Sequence, residues 1–208
     1  YAFFKNFLPK FNIKTKFVDI TNLKQIENNI TAKTKAIYCE SISNPLLEVS
    51  NINKIAEIAK KNNLKLIVDN TFTPLIFSPA KLGADIVIHS LTKFINGSSD
   101  TVGGVVCSNE EFINEIIDVN SGSAMLLGPV MDSFRSASIL KNLKTLHLRI
   151  KKHSENAYYL SKNLAKDGVK IIYPGLENHP QHEIMSKSFN KEFGYGGIFV
   201  IDTETETK

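Results

Sequence analysis

Two short apolar runs constrain the fold of this chain more than any other feature. Residues 66–68 (Leu-Ile-Val) and 86–88 (Ile-Val-Ile) are continuously apolar and rich in β-branched residues. Such runs are typical of strands that are buried on both faces, as in a parallel sheet. Together with similar runs they predict five strands: residues 16–20, 36–39, 65–69, 85–89 and 104–107.

Amphipathic segments lie between these runs and predict helices. Residues 51–62 place Ile52, Ile55 and Ala59 on one helical stripe, and Ser50 is the expected N-cap. The other predicted helices span residues 23–29, 110–119, 130–143 and 145–166, and the last one stops near Gly168. Alternating strands and helices predict an α/β fold whose mainly parallel sheet is flanked by helices.

The pattern changes after Gly128-Pro129, where two helices follow one another. We therefore expect residues 1–144 to be part of a large α/β domain. Residues 145–208 are expected to form a bridging helix and the beginning of a smaller C-terminal domain, with a strand at 169–173. The chain begins with Tyr1 rather than Met, and a strand-like run at 197–201 lies near its end. Both features indicate a piece of a longer protein.

Composition argues against several classes of protein. The net charge is +4, but the lysines are spread over many segments, so nucleic-acid binding is not expected. No apolar run approaches the about 18 residues that span a membrane, and no signal peptide is recognisable. Cys39 and Cys107 each end an apolar run, which predicts buried thiols and a reducing, cytoplasmic setting. No metal site is predicted.

Polar residues stand at the ends of three predicted strands, where ligands of open α/β sheets bind. Asp69 ends the second of these strands, and a buried carboxylate there needs a partner, such as a protonated ring nitrogen. Ser90, Thr92 and Lys93 follow the next strand, and two hydroxyls beside an amine suit a phosphate and an aldehyde. Taken singly, Asp69 could merely cap a turn and Lys93 could be a solvated loop residue.

The third strand end carries Glu40 and, further on, Asn44-Pro45. Asn44 can donate a hydrogen bond to a ring substituent, and Glu40 can hold that region in place. An Asn-Pro turn without a function is the alternative. His89 is expected to be a packed histidine at the strand end. Combined, the three ends supply an amine, a carboxylate and phosphate donors, which are the groups that pyridoxal 5′-phosphate (PLP) requires.

The stretches LIVDNTFTPL (66–75) and LGADIVIHSLTKFINGSSDTVGG (82–104) resemble the Cys/Met-metabolism family of PLP enzymes. The resemblance implies the PLP-dependent transferase fold of type I. It also implies a Schiff-base lysine at Lys93 and a partner for the pyridine nitrogen at Asp69. It further implies that Ser90 and Thr92 bind the phosphate of the cofactor. Asn44 would lie near the 3-oxygen of the cofactor, and Glu40 would support this region.

The chain departs from the family pattern at two places. Ser98 stands where members often have His, and Lys141-Asn142 stand where they often have Arg-Gly. In addition, the family's upstream Tyr that stacks on the cofactor ring and its downstream Arg that grips the substrate carboxylate fall in segments that these residues do not include.

The resemblance implies γ-elimination or γ-replacement on a sulfur-containing amino acid, best described as methionine γ-lyase-like. The alternatives are a cystathionine γ-synthase or O-acylhomoserine sulfhydrylase, or, in a different class, a non-catalytic α/β fragment that lacks a complete site. The family also implies a small amino-acid substrate and a homodimer or homotetramer.

Overall fold

A computed structural model describes residues 1–203 of the chain. Its contacts divide the chain into two units, Tyr1–Thr34 and Lys35–Lys208. The domain boundary near residue 144 stays a prediction. In the larger unit, one hydrophobic cluster contains residues from both sides of that position, including Leu47, Ile76, Leu146 and Ile150.

The first unit is short and mostly irregular. It contains two helical turns, Phe3–Phe7 and Leu8–Phe11, and the helix α1 (Leu23–Asn28). The strand expected at residues 16–20 is wrong, because these residues are not in a strand. Asp19 instead closes a local turn, since its carboxylate accepts hydrogen bonds from the backbone N–H and the hydroxyl of Thr21.

The second unit is built on a four-stranded sheet. The strands are β1 (Ala36–Glu40), β2 (Lys65–Asp69), β3 (Ile86–Ser90) and β4 (Gly104–Cys107), in the spatial order β1-β2-β3-β4. The first three strands are parallel to one another, and β4 is antiparallel to β3. The predicted α/β fold with a mainly parallel sheet is confirmed.

The two faces of this sheet are buried to different degrees. One face carries Ile37, Cys39, Leu66 and Val68, all of which are buried. The helix α2 (Ile52–Lys61) buries the apolar stripe that its sequence predicts. Its N-cap is Asn51 rather than Ser50, because the Asn51 side chain accepts from the N–H of Lys54 whereas the Ser50 hydroxyl donates to the carbonyl of Glu40.

Both cysteines are expected to be buried, but only one of them is. Cys39 is buried at 5% exposure, as predicted, but Cys107 is exposed. Both cysteines lie on edge strands, but Cys39 lies on the covered face of β1, whereas the residues of β4 are mostly exposed. Both thiols are free.

Short helices and turns fill the remaining connections. Helical turns span Pro79–Leu82, Leu91–Ile95 and Lys191–Phe193. The helices after the sheet are α3 (Glu110–Ile117), α4 (Ser123–Leu127), α5 (Ser133–Leu143), α6 (Leu146–Lys166) and α7 (His182–Ser188). α5 starts later than predicted because Asp132 caps it. A small antiparallel pair, β5 (Ile171–Ile172) and β6 (Val200–Ile201), completes the unit.

Within residues 1–203, none of the helices combines the length and the apolar character needed to cross a membrane.

Candidate active site

The carboxyl ends of the three parallel strands meet at one edge of the sheet. Glu40 and Asp69 are directly paired in the register of β1 and β2, and Asp69 is followed across the sheet by Ile88 of β3. Ser90 is the last residue of β3. Because parallel strands run in one direction, the fold brings the polar residues at these three strand ends to a common edge.

Asp69 is half-buried, and both of its carboxylate oxygens accept hydrogen bonds. Oδ2 accepts from the phenol of Tyr38 at 3.0 Å. Oδ1 accepts from the backbone N–H of Thr71 at 3.0 Å and from the Thr71 hydroxyl at 2.5 Å. These donors fix the orientation of the carboxylate. Asp69 is therefore a pre-oriented carboxyl group at the sheet edge.

Thr71 connects the end of β2 to the end of β3. Its hydroxyl donates to Asp69 and accepts from the backbone N–H of Ser90 at 2.8 Å. The Asp69 carboxylate and the start of the segment that carries Lys93 are thus joined through a single side chain. Neither the spacing of the strands nor their apolar pattern predicts this link.

Lys93 lies in the helical turn Leu91–Ile95, directly after β3, and its side chain is exposed. Among the described residues, neither Nζ of Lys93 nor Oγ of Ser90 has a hydrogen-bond or ion-pair partner. Thr92 differs, because its hydroxyl accepts from the backbone N–H of Gly103 at 3.0 Å and contacts the Gly103 carbonyl at 3.3 Å. Ser90 and Lys93 are therefore the two groups of this segment that are available to a ligand.

Glu40, the last residue of β1, and Asn44, in the loop that follows, form a local unit. One oxygen of the Glu40 carboxylate accepts from the backbone N–H of Asn44 at 3.0 Å, across the turn that contains the cis peptide bond Asn44-Pro45. The Asn44 side chain is exposed. Glu40 thus holds the loop in which Asn44 lies, whereas the amide of Asn44 faces outward.

Burial and charge shift the acid–base properties of this edge. Burial raises the pKa of Glu40, and the nearby Asp69 adds to the effect, while the N–H of Asn44 opposes it. The pKa of the Tyr38 phenol is raised by burial and by the negative charge of Asp69. Burial lowers the pKa of His89, whose Nδ1 is buried without a partner among the described residues. All three shifts favour neutral side chains around Asp69.

Sequence reasoning missed two residues of this edge, Tyr38 and Thr71. A signal for Thr71 exists in the Asp-x-Thr spacing, because an aspartate often binds the N–H two residues on. Tyr38 lies two residues before Glu40, on the same face of β1. Two positions at which the chain departs from the family pattern, Ser98 and Asn142, contact each other. The amide of Asn142 donates to the hydroxyl of Ser98 at 3.0 Å.

Comparison with known proteins gives consistent matches along the chain. The family of Cys/Met metabolism PLP-dependent enzymes matches residues 1–208. A methionine γ-lyase from Arabidopsis thaliana is 42% identical over 100% of this chain and 48% of its own length. A cystathionine γ-lyase from Dictyostelium discoideum is 39% identical over 96% of this chain and 51% of its own length.

A solved structure agrees with these matches. The cystathionine γ-lyase from Lactobacillus plantarum, determined in complex with L-serine, has a TM-score of 0.89 and 33% sequence identity. The alignment covers 97% of this chain and 52% of that one. The chain therefore spans about half the length of the curated relatives it matches.

Proposed function

Because the chain belongs to the family of Cys/Met metabolism PLP-dependent enzymes, we propose that the full-length protein binds PLP at the sheet edge. The proposed reaction is γ-elimination or γ-replacement on a sulfur-containing amino acid. The observation that carries this proposal is the link through Thr71, which ties the Asp69 carboxylate to the backbone N–H of Ser90, three residues before Lys93.

The donor set at this edge fits the cofactor. When bound, PLP supplies an aldehyde that condenses with amines and a ring that accepts electrons. Lys93 would hold the cofactor through its amine, which has no partner among the described residues. Asp69 would face the ring nitrogen, where a fixed carboxylate favours a positive charge. Ser90 would donate its hydroxyl to the phosphate.

Three further contacts are proposed with supporting roles. Thr92 would bind phosphate, which requires its hydroxyl proton to turn away from the Gly103 carbonyl. Asn44 would lie near the 3-oxygen of the cofactor. Glu40 would keep the Asn44 loop in place through the hydrogen bond it already accepts.

During the reaction, the amino group of the substrate would take the place of the Lys93 amine at the cofactor. The freed Lys93 amine would then act as the base that removes the α-proton of the substrate. Asp69 would keep a proton at the ring nitrogen throughout. Tyr38 and Thr71 would hold the Asp69 carboxylate still, so that its charge does not have to reorganise when the proton moves.

The test is chemical trapping on the full-length protein. Borohydride treatment in the presence of PLP, followed by peptide mass mapping, is expected to place the reduced cofactor on Lys93. A Lys93→Ala variant that still folds is expected to carry no adduct. If the wild-type protein forms no adduct at Lys93, the site is not a PLP site, and a non-catalytic α/β module becomes the better description.

The first candidate reaction is a methionine γ-lyase-like elimination that yields a 2-oxo acid, ammonia and a thiol. The second candidate is a γ-replacement, as in a cystathionine γ-synthase or an O-acylhomoserine sulfhydrylase. Supplying methionine and measuring methanethiol separates them. Release of methanethiol supports the lyase, whereas thiol addition to an acylhomoserine without such release supports the replacement reaction.

Assembly into a homodimer or homotetramer is also part of the proposal, together with the division near residue 144 into a large and a small domain. Light scattering of the full-length protein measures the first. Limited proteolysis that yields a stable product ending near residue 144 would support the second.

A further inference from the structure

Arg149, near the start of α6, binds the segment that follows Lys93. Its Nη1 donates to the carbonyl of Phe94 at 2.6 Å, and its Nη2 donates to the carbonyl of Ile95 at 2.8 Å. Nη2 also donates to the carbonyl of Asn142 at 3.0 Å. One side chain therefore holds the two residues immediately after the candidate cofactor lysine and joins them to α5.

Arginine is rare in this chain. The sequence contains 25 lysines and arginines, of which only Arg135 and Arg149 are arginine. Arg135 is exposed and pairs with Asp132. Arg149 makes no ion pair with any described carboxylate, and its partners are carbonyls and the hydroxyl of Thr145. A planar guanidinium can reach several acceptors in fixed directions, which a lysine amine cannot.

The loop after Lys93 is built around this guanidinium. Gly97 has a φ of 72°, and a Cβ at that position would overlap Nη1 of Arg149. A side chain there would therefore displace the guanidinium as well as adopt an unfavourable backbone conformation. The close approach of the Gly97 backbone to Arg149 therefore supports the contact between Arg149 and this loop independently of the hydrogen bonds.

The turn itself needs such an external contact. Lys93 has φ −93° and ψ −124°, so the helical pattern is interrupted at the lysine. The carbonyls of Phe94 and Ile95 lie at the end of the turn, where no further helical N–H follows in register. A cation at this end satisfies both carbonyls. Burial lowers the pKa of Arg149, because a charged guanidinium is less stable away from water.

We propose that Arg149 is a positioning residue, which fixes the turn after Lys93 and thereby sets the direction in which the Lys93 amine meets its cofactor. This inference rests on the proposed function. It adds a residue on α6, 56 positions away in the sequence, to the groups that determine the reactivity of Lys93.

The test compares Arg149→Lys with Arg135→Lys in the full-length protein. Arg149→Lys keeps the positive charge but loses the fork of donors. It is expected to shift the pH midpoint at which the absorbance of bound PLP changes, and to lower kcat about 10- to 100-fold, as small misplacements do. KM is expected to change less. Arg135→Lys is expected to leave the pH midpoint, kcat and thermal unfolding temperature unchanged.

A second variant, Gly97→Ala, approaches the same contact from the loop and retains Arg149. It is expected to shift the pH midpoint of the absorbance in the same direction, so it decides the case if Arg149→Lys does not fold. If Arg149→Lys folds and shows the wild-type pH midpoint and kcat, the inference is overturned. If only Gly97→Ala folds, the same result in that variant overturns it. Borohydride trapping separates this inference from the proposed function. If wild-type Lys93 forms an adduct but the variants keep the wild-type pH midpoint and kcat, only this inference is overturned. If wild-type Lys93 forms no adduct, both proposals are overturned.

Discussion

The phenol of Tyr38 donates a hydrogen bond to Oδ2 of Asp69 across the β1–β2 pair. Tyr38→Phe removes this donor and leaves the ring in place. Without this donor the Asp69 carboxyl group is no longer held in one orientation, so PLP affinity is expected to fall about tenfold, which corresponds to about 1.4 kcal/mol. Equilibrium dialysis measures the affinity. Tyr159→Phe on the exposed side of α6 is the matched control, and an unchanged affinity in Tyr38→Phe would show that Asp69 does not need the phenol.

Removal of the Thr71 hydroxyl is expected to lower both the stability of the protein and its affinity for PLP. Thr71→Val keeps the shape of the side chain but breaks the link between Asp69 and Ser90, and it leaves the N–H of Ser90 without its acceptor. We expect about 1–3 kcal/mol lower stability of the cofactor-free protein and weaker PLP binding. Denaturant unfolding and dialysis measure both. Thr71→Ser retains the hydroxyl and should restore most of the loss; if it does not, the methyl group rather than the hydroxyl matters.

The strands were predictable because their signal is local. The apolar runs that predict β2 and β3 need no information from elsewhere in the chain, and the parallel arrangement then brings Asp69 and Ser90 to one edge. Residues 16–20 show the limit of this reasoning. A short apolar run also needs a partner strand, and the turn between Asp19 and Thr21 satisfies the local backbone instead.

The contacts that refine the site were not predictable in the same way. Arg149 and Phe94 are 55 residues apart, and no periodic pattern in the sequence connects them. The cap of α2 illustrates the same difficulty at short range. Ser50 and Asn51 are both good N-caps, and the choice between them depends on the carbonyl of Glu40, which takes the Ser50 hydroxyl.

The interior strand β2 is expected to contribute strongly to the stability of the larger unit. Leu66 has no exposed surface, and its backbone N–H donates to the carboxylate of Asp85 at 2.8 Å. Leu66→Ala leaves the backbone contact but opens a cavity, so a loss of about 2–5 kcal/mol is expected. Denaturant unfolding of the cofactor-free protein measures it. Leu148→Ala, at a side chain with 61% exposure, should cost less than about 0.5 kcal/mol; equal losses would mean that β2 is not in the core.

The raised pKa of Glu40 leads to a prediction about pH. Burial is the main cause of the shift, so the folded protein favours the neutral carboxyl. A carboxyl whose pKa is higher in the folded state binds more protons there, and stability is therefore lost as the pH rises through the carboxyl range. Glu40→Gln stays neutral and can still accept from the N–H of Asn44. Its stability relative to wild type is expected to increase between about pH 4 and pH 7. Thermal unfolding of both proteins across this range, with Glu192→Gln as the exposed control, measures the difference. A relative stability of Glu40→Gln that stays constant with pH would mean that burial does not penalise the Glu40 charge.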